Sequence, residues 1–159
     1  GGGGADGDSA ALSRCMWADP ALDVWEAVTP MAEARYKLAV AVLDGKLYAA
    51  GGYDDDYLSS VERYDPALDA WETVAPMLTA RGDHGVAVLD GKLYAVGGHN
   101  GARLSSVERY DPALDAWEEV ASMAEGRDTH AVAVLDGDSA AGTRRGGARW
   151  QAVCCGRDL

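Results

Sequence analysis

Trp25, Trp71 and Trp117 stand 46 residues apart. Met31, Met77 and Met123 keep the same step, and Leu43-Asp44-Gly45 returns at Leu89-Asp90-Gly91 and Leu135-Asp136-Gly137. Laid over one another without a gap, residues 37–82 and 83–128 are identical at 31 of 46 positions. A period of this length means one supersecondary unit repeated in space, since each unit buries its apolar face only against its neighbour. It argues against a single irregular core, and 159 residues leave room for no more than one ordinary domain.

Each unit reads as four short strands. Leu38 to Leu43 is an unbroken apolar run and is expected as a strand buried on both faces. Asp44-Gly45 supplies the two positive-φ residues of a type I′ hairpin turn. Lys46 to Ala50 runs back as the second strand and stops at Gly51-Gly52, a pair that marks a bulge or a close backbone approach. After a loop, Ser60 to Tyr64 forms the third strand, Asp65-Pro66-Ala67-Leu68-Asp69 the next turn, and Trp71 to Val74 the fourth strand. Four antiparallel strands repeated head to tail make a blade of a β-propeller, so the fold class is all-β.

The order of apolar strand, Asp-Gly, Tyr-x-x-Gly-Gly, variable loop, Ser-Val-Glu-Arg-Tyr-Asp-Pro, Trp, Met and Arg resembles the kelch repeat. The resemblance is complete over residues 37–82 and 83–128 and partial over 19–31 and 129–137. The expected organisation is a disordered Gly/Ala-rich segment over 1–18, kelch repeats over 19–137, and a non-kelch tail over 138–159. That is two full blades, with a closing fourth strand upstream and an opening first strand downstream. Gly51, Gly52, Gly97, Gly98, Tyr48, Tyr94, Tyr64, Tyr110, Trp25, Trp71 and Trp117 then carry blade structure, not binding. After Asp136-Gly137 the second-strand pattern fails and the chain turns basic, which reads as a truncated or frame-shifted end, with a genuine disordered tail over 138–159 as the alternative.

The formal charge is −12, so nucleic acid and anionic membrane are not expected partners. No run approaches the ~20 apolar residues of a membrane span, and the first residues have neither the basic nor the apolar part of a signal peptide. Three cysteines, Cys15, Cys154 and Cys155, do not make a disulfide framework, which favours a reducing, cytoplasmic compartment. Nuclear or cytoskeletal placement is the alternative. The 20 glycines follow from the Gly-Gly pairs, the Asp-Gly turns and the Gly-rich ends.

Differences between the two full units concentrate in two loops at one end of the blade. One follows Gly-Gly, where Tyr53-Asp54-Asp55-Asp56-Tyr57 stands against His99-Asn100-Gly101-Ala102-Arg103. The other follows Met77 and Met123. Variable loops on a fixed scaffold are where binding surfaces are built. Tyr53, Asp54, His99, Asn100 and Arg103 are therefore candidate partner contacts. Arg35, Arg81 and Arg127 recur four residues after Met. They read either as an arc of guanidinium groups for an acidic partner, or as scaffold residues pairing with Glu62 or Glu108 or capping strand-end carbonyls.

His84 and His130 share a register, but two histidines on separate blades are a weak metal signal. Asp54-Asp55-Asp56 lacks the Gly and Glu spacing of a calcium loop. Arg144-Arg145-Gly146-Gly147 faintly resembles an RNA-binding Arg-Gly tract, but a single copy carries no expectation of RNA binding. No nucleophile elbow, phosphate-binding loop or triad order is present, so neither a catalytic residue nor a cofactor is expected.

The kelch resemblance implies protein recognition through the loop face, as in the substrate receptors of cullin-based ubiquitin ligases. Those carry BTB and BACK domains, which do not fit in the residues upstream, so that membership is an expectation about a longer parent chain. A cytoskeletal, actin-associated scaffold is the alternative, and a kelch-fold enzyme the least favoured. Two blades do not close a ring, so self-association through open edges is also expected.

Overall fold

The computed structural model describes residues 15–128 and 132–134. Among the described residues the regular structure is entirely β. The first element is a hairpin, β1 (Cys15–Asp19) and β2 (Val24–Val28). Two four-stranded antiparallel sheets follow. The first contains β3 (Ala39–Leu43), β4 (Lys46–Ala50), β7 (Val61–Asp65) and β8 (Ala70–Val74), paired in that order. Between β4 and β7 lies a two-residue hairpin, β5 (Tyr53–Asp54) and β6 (Asp56–Tyr57). The second sheet is β9 (Gly85–Leu89), β10 (Lys92–Val96), β11 (Val107–Asp111) and β12 (Ala116–Val120). Each sheet is a meander, the blade expected from the repeat.

Local chemistry accounts for the turns. Asp44 and Gly45 have φ of 51° and 72°, and Asp90 and Gly91 have 49° and 70°, which is the double positive φ of a type I′ turn. After β7, the Asp65 carboxylate accepts the Ala67 N–H at 2.9 Å, and the Lys46 ammonium beside it holds its pKa below the usual carboxylate value. Lys92 and Asp111 repeat the arrangement in the second blade.

The core lies between the two sheets. Tyr48, Val61, Val74 and Met77 of the first blade meet Leu93, Ala95, Tyr110 and Trp117 of the second. The Trp117 indole N–H donates to the Ala75 carbonyl at 2.8 Å, and Asp115 accepts the Ala75 N–H at 2.9 Å. One repeat earlier the same bonds join Trp71 and Asp69 to Thr29. Each blade is thus latched to the one before it by a tryptophan and an aspartate.

Three expectations change. Residues 15–18, placed in the disordered segment, belong to β1, so the upstream partial blade has a third and a fourth strand. Their pattern, Cys-Met-Trp-Ala, departs from Val-Glu-Arg-Tyr; only the shared Asp-Pro-Ala-Leu-Asp turn marks the register. Val40 and Val42 on β3 are 55% and 65% exposed, so this strand is not buried on both faces. Their counterparts Val86 and Val88 pack into the inter-blade core, whereas among the described residues the blade beside Val40 and Val42 contributes only its outer hairpin. Residues 132–134, part of the expected opening strand, are not in a strand. The rest of 129–137 and the tail 138–159 lie outside the described residues, as do residues 1–14.

Candidate functional site

The two variable loops of each blade meet at one end of the molecule. Tyr36 and Tyr53 exchange backbone hydrogen bonds at 3.1 and 2.8 Å, and Gly82 and His99 do the same at 3.0 and 2.9 Å. Gly52 N–H donates to the Arg81 carbonyl, and Arg81 N–H donates to the Leu58 carbonyl. The loop entering a blade is therefore stitched to the loop after that blade's own Gly-Gly pair and, through Arg81, to the Gly-Gly loop of the blade before it. This stitching needs close backbone approach: Gly51 has φ of 59°, and a Cβ there would lie 2.4 Å from the Arg81 carbonyl oxygen.

Along this surface the side chains form a row of rings. Tyr36 and Tyr53 have centroids 5.3 Å apart, Tyr53 and Tyr57 5.0 Å, and Tyr57 and His99 5.5 Å. The Tyr57 hydroxyl lies 2.7 Å from His99 Nδ1. The row crosses from the first blade to the second, so neighbouring rings restrict each other's rotamers. Tyr36 is 39% exposed, and Tyr53, Tyr57 and His99 are half-buried.

The charged groups beside the row are unevenly matched. Lys37 pairs with Asp83 at 3.1 Å, a hydrogen bond that raises the lysine pKa, and Arg103 pairs with Asp128 at 3.2 Å. Among the described residues no ion pair engages Asp54, Asp55 or Asp56. The unneutralised charge next to the rings is acidic.

Of the candidate partner contacts, Tyr53, Asp54, His99, Asn100 and Arg103 all lie on this face. Arg35 and Arg81 do not: both side chains are fully buried. Arg35 donates to the Gly51 carbonyl at 2.9 Å, the Ser60 carbonyl at 3.0 Å and Glu62 at 2.8 Å. Arg81 does likewise with Gly97 at 2.6 Å, Ser106 at 3.1 Å and Glu108 at 2.6 Å. A guanidinium enclosed in this way presents no donor to a partner, so the guanidinium arc is absent and these two arginines tie loop to blade. The donor set also shows that each arginine belongs to the blade that follows it. Arg127 is exposed. Repeating the donor set would need residues beyond 134, outside the described part of the chain.

Tyr36 and Lys37 are not singled out by comparing the repeats, and Tyr57 and Asp83 lie in the variable loops without being picked out within them. Their signal is faint, because a tyrosine in a variable loop looks like any other variable residue until the fold places it beside another ring. His84 is buried against Gly51 and Gly98, and His130 lies outside the described residues. Among the described residues no group of His, Cys, Asp and Glu is placed to hold a metal ion. Cys15 lies in β1; burial, with Glu62 adding to it, pushes its thiol pKa up and makes it a poor nucleophile. Among the same residues no helix is long and apolar enough to cross a membrane.

Comparison with known proteins agrees with this architecture. The solved structure of YjhT superposes with a TM-score of 0.66 over 72% of this chain and 45% of that one, at 19% identity, which is a likeness of fold. Kelch-like protein 26 of Danio rerio is 46% identical over 55 residues, 34% of this chain and 9% of that protein. Kelch-like protein 33 of Homo sapiens is 43% identical over 53 residues, 33% of this chain and 10% of that protein. The chain therefore spans about a tenth of the length of these relatives. The kelch motif model matches residues 34–78 and 80–124, opening each unit just before Arg35 and Arg81, where the buried ion pairs place the boundary, and the chain belongs to the kelch motif family.

Proposed function

We propose that this chain is a non-catalytic protein-recognition module that binds an extended segment of a partner across its loop face. The observation that carries the reading is the ring row Tyr36, Tyr53, Tyr57 and His99, held on a stitched backbone and flanked by the acids Asp54, Asp55 and Asp56. Tyrosine faces and carboxylates together favour Lys or Arg side chains, through cation–π and charge-assisted contacts. An acidic partner, expected from a guanidinium arc, is not favoured once Arg35 and Arg81 are enclosed. For the whole protein, the resemblance to the propellers of cullin-based ubiquitin-ligase receptors supports a role as the substrate-recognition part of such an adaptor in the cytoplasm.

The test is a binding titration of the full chain with lysine- and arginine-containing peptides against glutamate-substituted versions of the same peptides. Basic peptides are expected to bind, and Tyr53→Ala with Tyr57→Ala to weaken them at least tenfold while the far-ultraviolet circular dichroism stays unchanged. Equal binding of basic and acidic peptides, or undiminished binding by the double variant, would overturn the reading.

A further inference from the structure

His99 closes the ring row, and the two groups that meet its Nδ1 are both donors. Gly101 N–H donates to Nδ1 at 3.2 Å, and the Tyr57 hydroxyl lies 2.7 Å from the same atom. A backbone N–H only donates, so Nδ1 carries no proton and the hydroxyl donates to it as well. The neutral ring therefore holds its proton on Nε2. The main chain fixes where the ring stands: His99 exchanges hydrogen bonds with Gly82 at 3.0 and 2.9 Å and bridges to Arg103 across its own turn. Gly101 sits at the tip of that turn with φ of 105°. Besides its bond to Nδ1, the turn is closed by Asn100 N–H on the Ala102 carbonyl at 3.2 Å.

A second proton on the imidazole undoes this arrangement. With Nδ1 protonated, the Tyr57 hydroxyl turns to accept from it, but Gly101 N–H then faces a donor and loses its acceptor. The imidazolium also lies 5.5 Å from the Tyr57 ring centroid, inside the ~6 Å over which a cation and an aromatic face attract. It is then itself the cation on Tyr57 and repels a second one. The surrounding groups do not neutralise it. Asp83, beside Gly82, is committed to Lys37 at 3.1 Å, and Asp128 to Arg103 at 3.2 Å. Arg127, whose carbonyl accepts the Gly98 N–H at 2.7 Å, and His84, buried against Gly98, offer no negative charge. Asp56 adjoins Tyr57 and accepts its backbone N–H at 2.8 Å. An imidazolium that draws on this acid takes it from the partner's side.

We infer that His99 makes recognition at the loop face pH-dependent. Neutral, it holds the Gly101 turn and leaves the ring row open to a lysine or arginine of the partner. Protonated, it releases the turn and expels that cation. The inference rests on the reading of the loop face as a site for basic segments and adds the regulation of that site.

Two measurements on the full chain test it. Without any partner, nitrogen-15 NMR at about pH 8 should find His99 as the Nε2–H tautomer, and the Gly101 amide should shift and exchange faster as the imidazole protonates toward about pH 5.5. Binding is then titrated with acetylated, amidated peptides that contain Lys and Arg but no His, Asp or Glu, so the peptide charge stays fixed over that range. Affinity should fall at least about fivefold from the higher pH to the lower. In His99→Gln, which keeps His84 and His130, the ratio of the two affinities should approach unity, whatever the affinity at the higher pH. The NMR measurement uses the wild type alone, so it decides even where the variant fails to fold. An Nδ1–H tautomer, a Gly101 amide that ignores the titration, an undiminished affinity at the lower pH, or a pH dependence that survives in His99→Gln would overturn the inference and leave the basic-segment reading standing. Absence of binding at the higher pH would overturn both.

Discussion

Arg81 Nη2 lies 2.6 Å from Glu108 Oε2, with both side chains sealed from solvent. The same carboxylate accepts the backbone N–H groups of Leu78 and Thr79, so one buried acid fastens the loop before β9 to strand β11. Glu62 does this for Ala32, Glu33 and Arg35. The loop face owes its shape to these paired charges underneath it, and a partner meets what they hold in place.

Removing the cation should therefore unfold the blade before it affects recognition. Arg81→Met leaves a buried carboxylate without its charge partner, a loss of about 3–5 kcal/mol. Arg103→Ala breaks only the solvent-facing pair with Asp128 and should cost no more than about 1 kcal/mol. Urea unfolding of the two variants against the wild type measures the contrast, and comparable losses for both would contradict it.

Two glycines with similar φ should differ in their tolerance of alanine. Gly45, at φ of 72°, has open space where a Cβ would go, whereas a Cβ at Gly51 would meet the Arg81 carbonyl oxygen at 2.4 Å. Gly45→Ala should cost about 1 kcal/mol, from the left-handed backbone alone. Gly51→Ala should cost about 3 kcal/mol or more, because backbone must move. Thermal melts of both variants decide it.

Acid should loosen the latch between blades. The Ala75 N–H, and then the Tyr110 hydroxyl, hold the Asp115 carboxyl below its usual pKa, and Thr29 with Tyr64 does the same for Asp69. A carboxylate whose pKa is lowered by folding contributes stability above its unfolded value and loses that contribution as pH falls through the lowered one. The melting temperature should thus hold between about pH 7 and 5 and drop below about pH 4. Asp115→Asn should shrink that drop, and an undiminished drop would count against the latch.

The indole bonds should be worth something only where they are made. Trp117→Phe removes the donor to Ala75 and should destabilise by about 1 kcal/mol from the hydrogen bond, with a further cost because the smaller ring buries less apolar surface. Trp25→Phe, at an exposed ring, should leave the stability of the dilute monomer within about 0.5 kcal/mol of wild type. Chemical unfolding at low protein concentration separates the two.

The repeat made the blade legible from residues alone, since Asp-Gly, Asp-Pro and Gly-Gly act through local backbone geometry that neighbours do not override. It also brought Tyr53, Asp54, His99, Asn100 and Arg103 to one end, because alternating strands send every second connection the same way. It did not reveal β1, whose Cys-Met-Trp-Ala run shares no residue with Val-Glu-Arg-Tyr and is a strand only because it pairs with Val24–Val28. Nor did it show the ring row, which joins Tyr57 to a histidine 42 positions away.

The unit of strand, turn and strand follows from φ preferences and apolar patterning over a few residues, and so it can be read along the chain. The fate of the arginines cannot. Arg35 and Arg81 read equally well as partner contacts and as scaffold residues, yet both are enclosed. For Arg81 the enclosing groups, a glycine carbonyl, a serine carbonyl and a glutamate, come from 16 to 27 residues further along the chain. Burial of a charge depends on which groups surround it in space, and that is a property of the assembled blade.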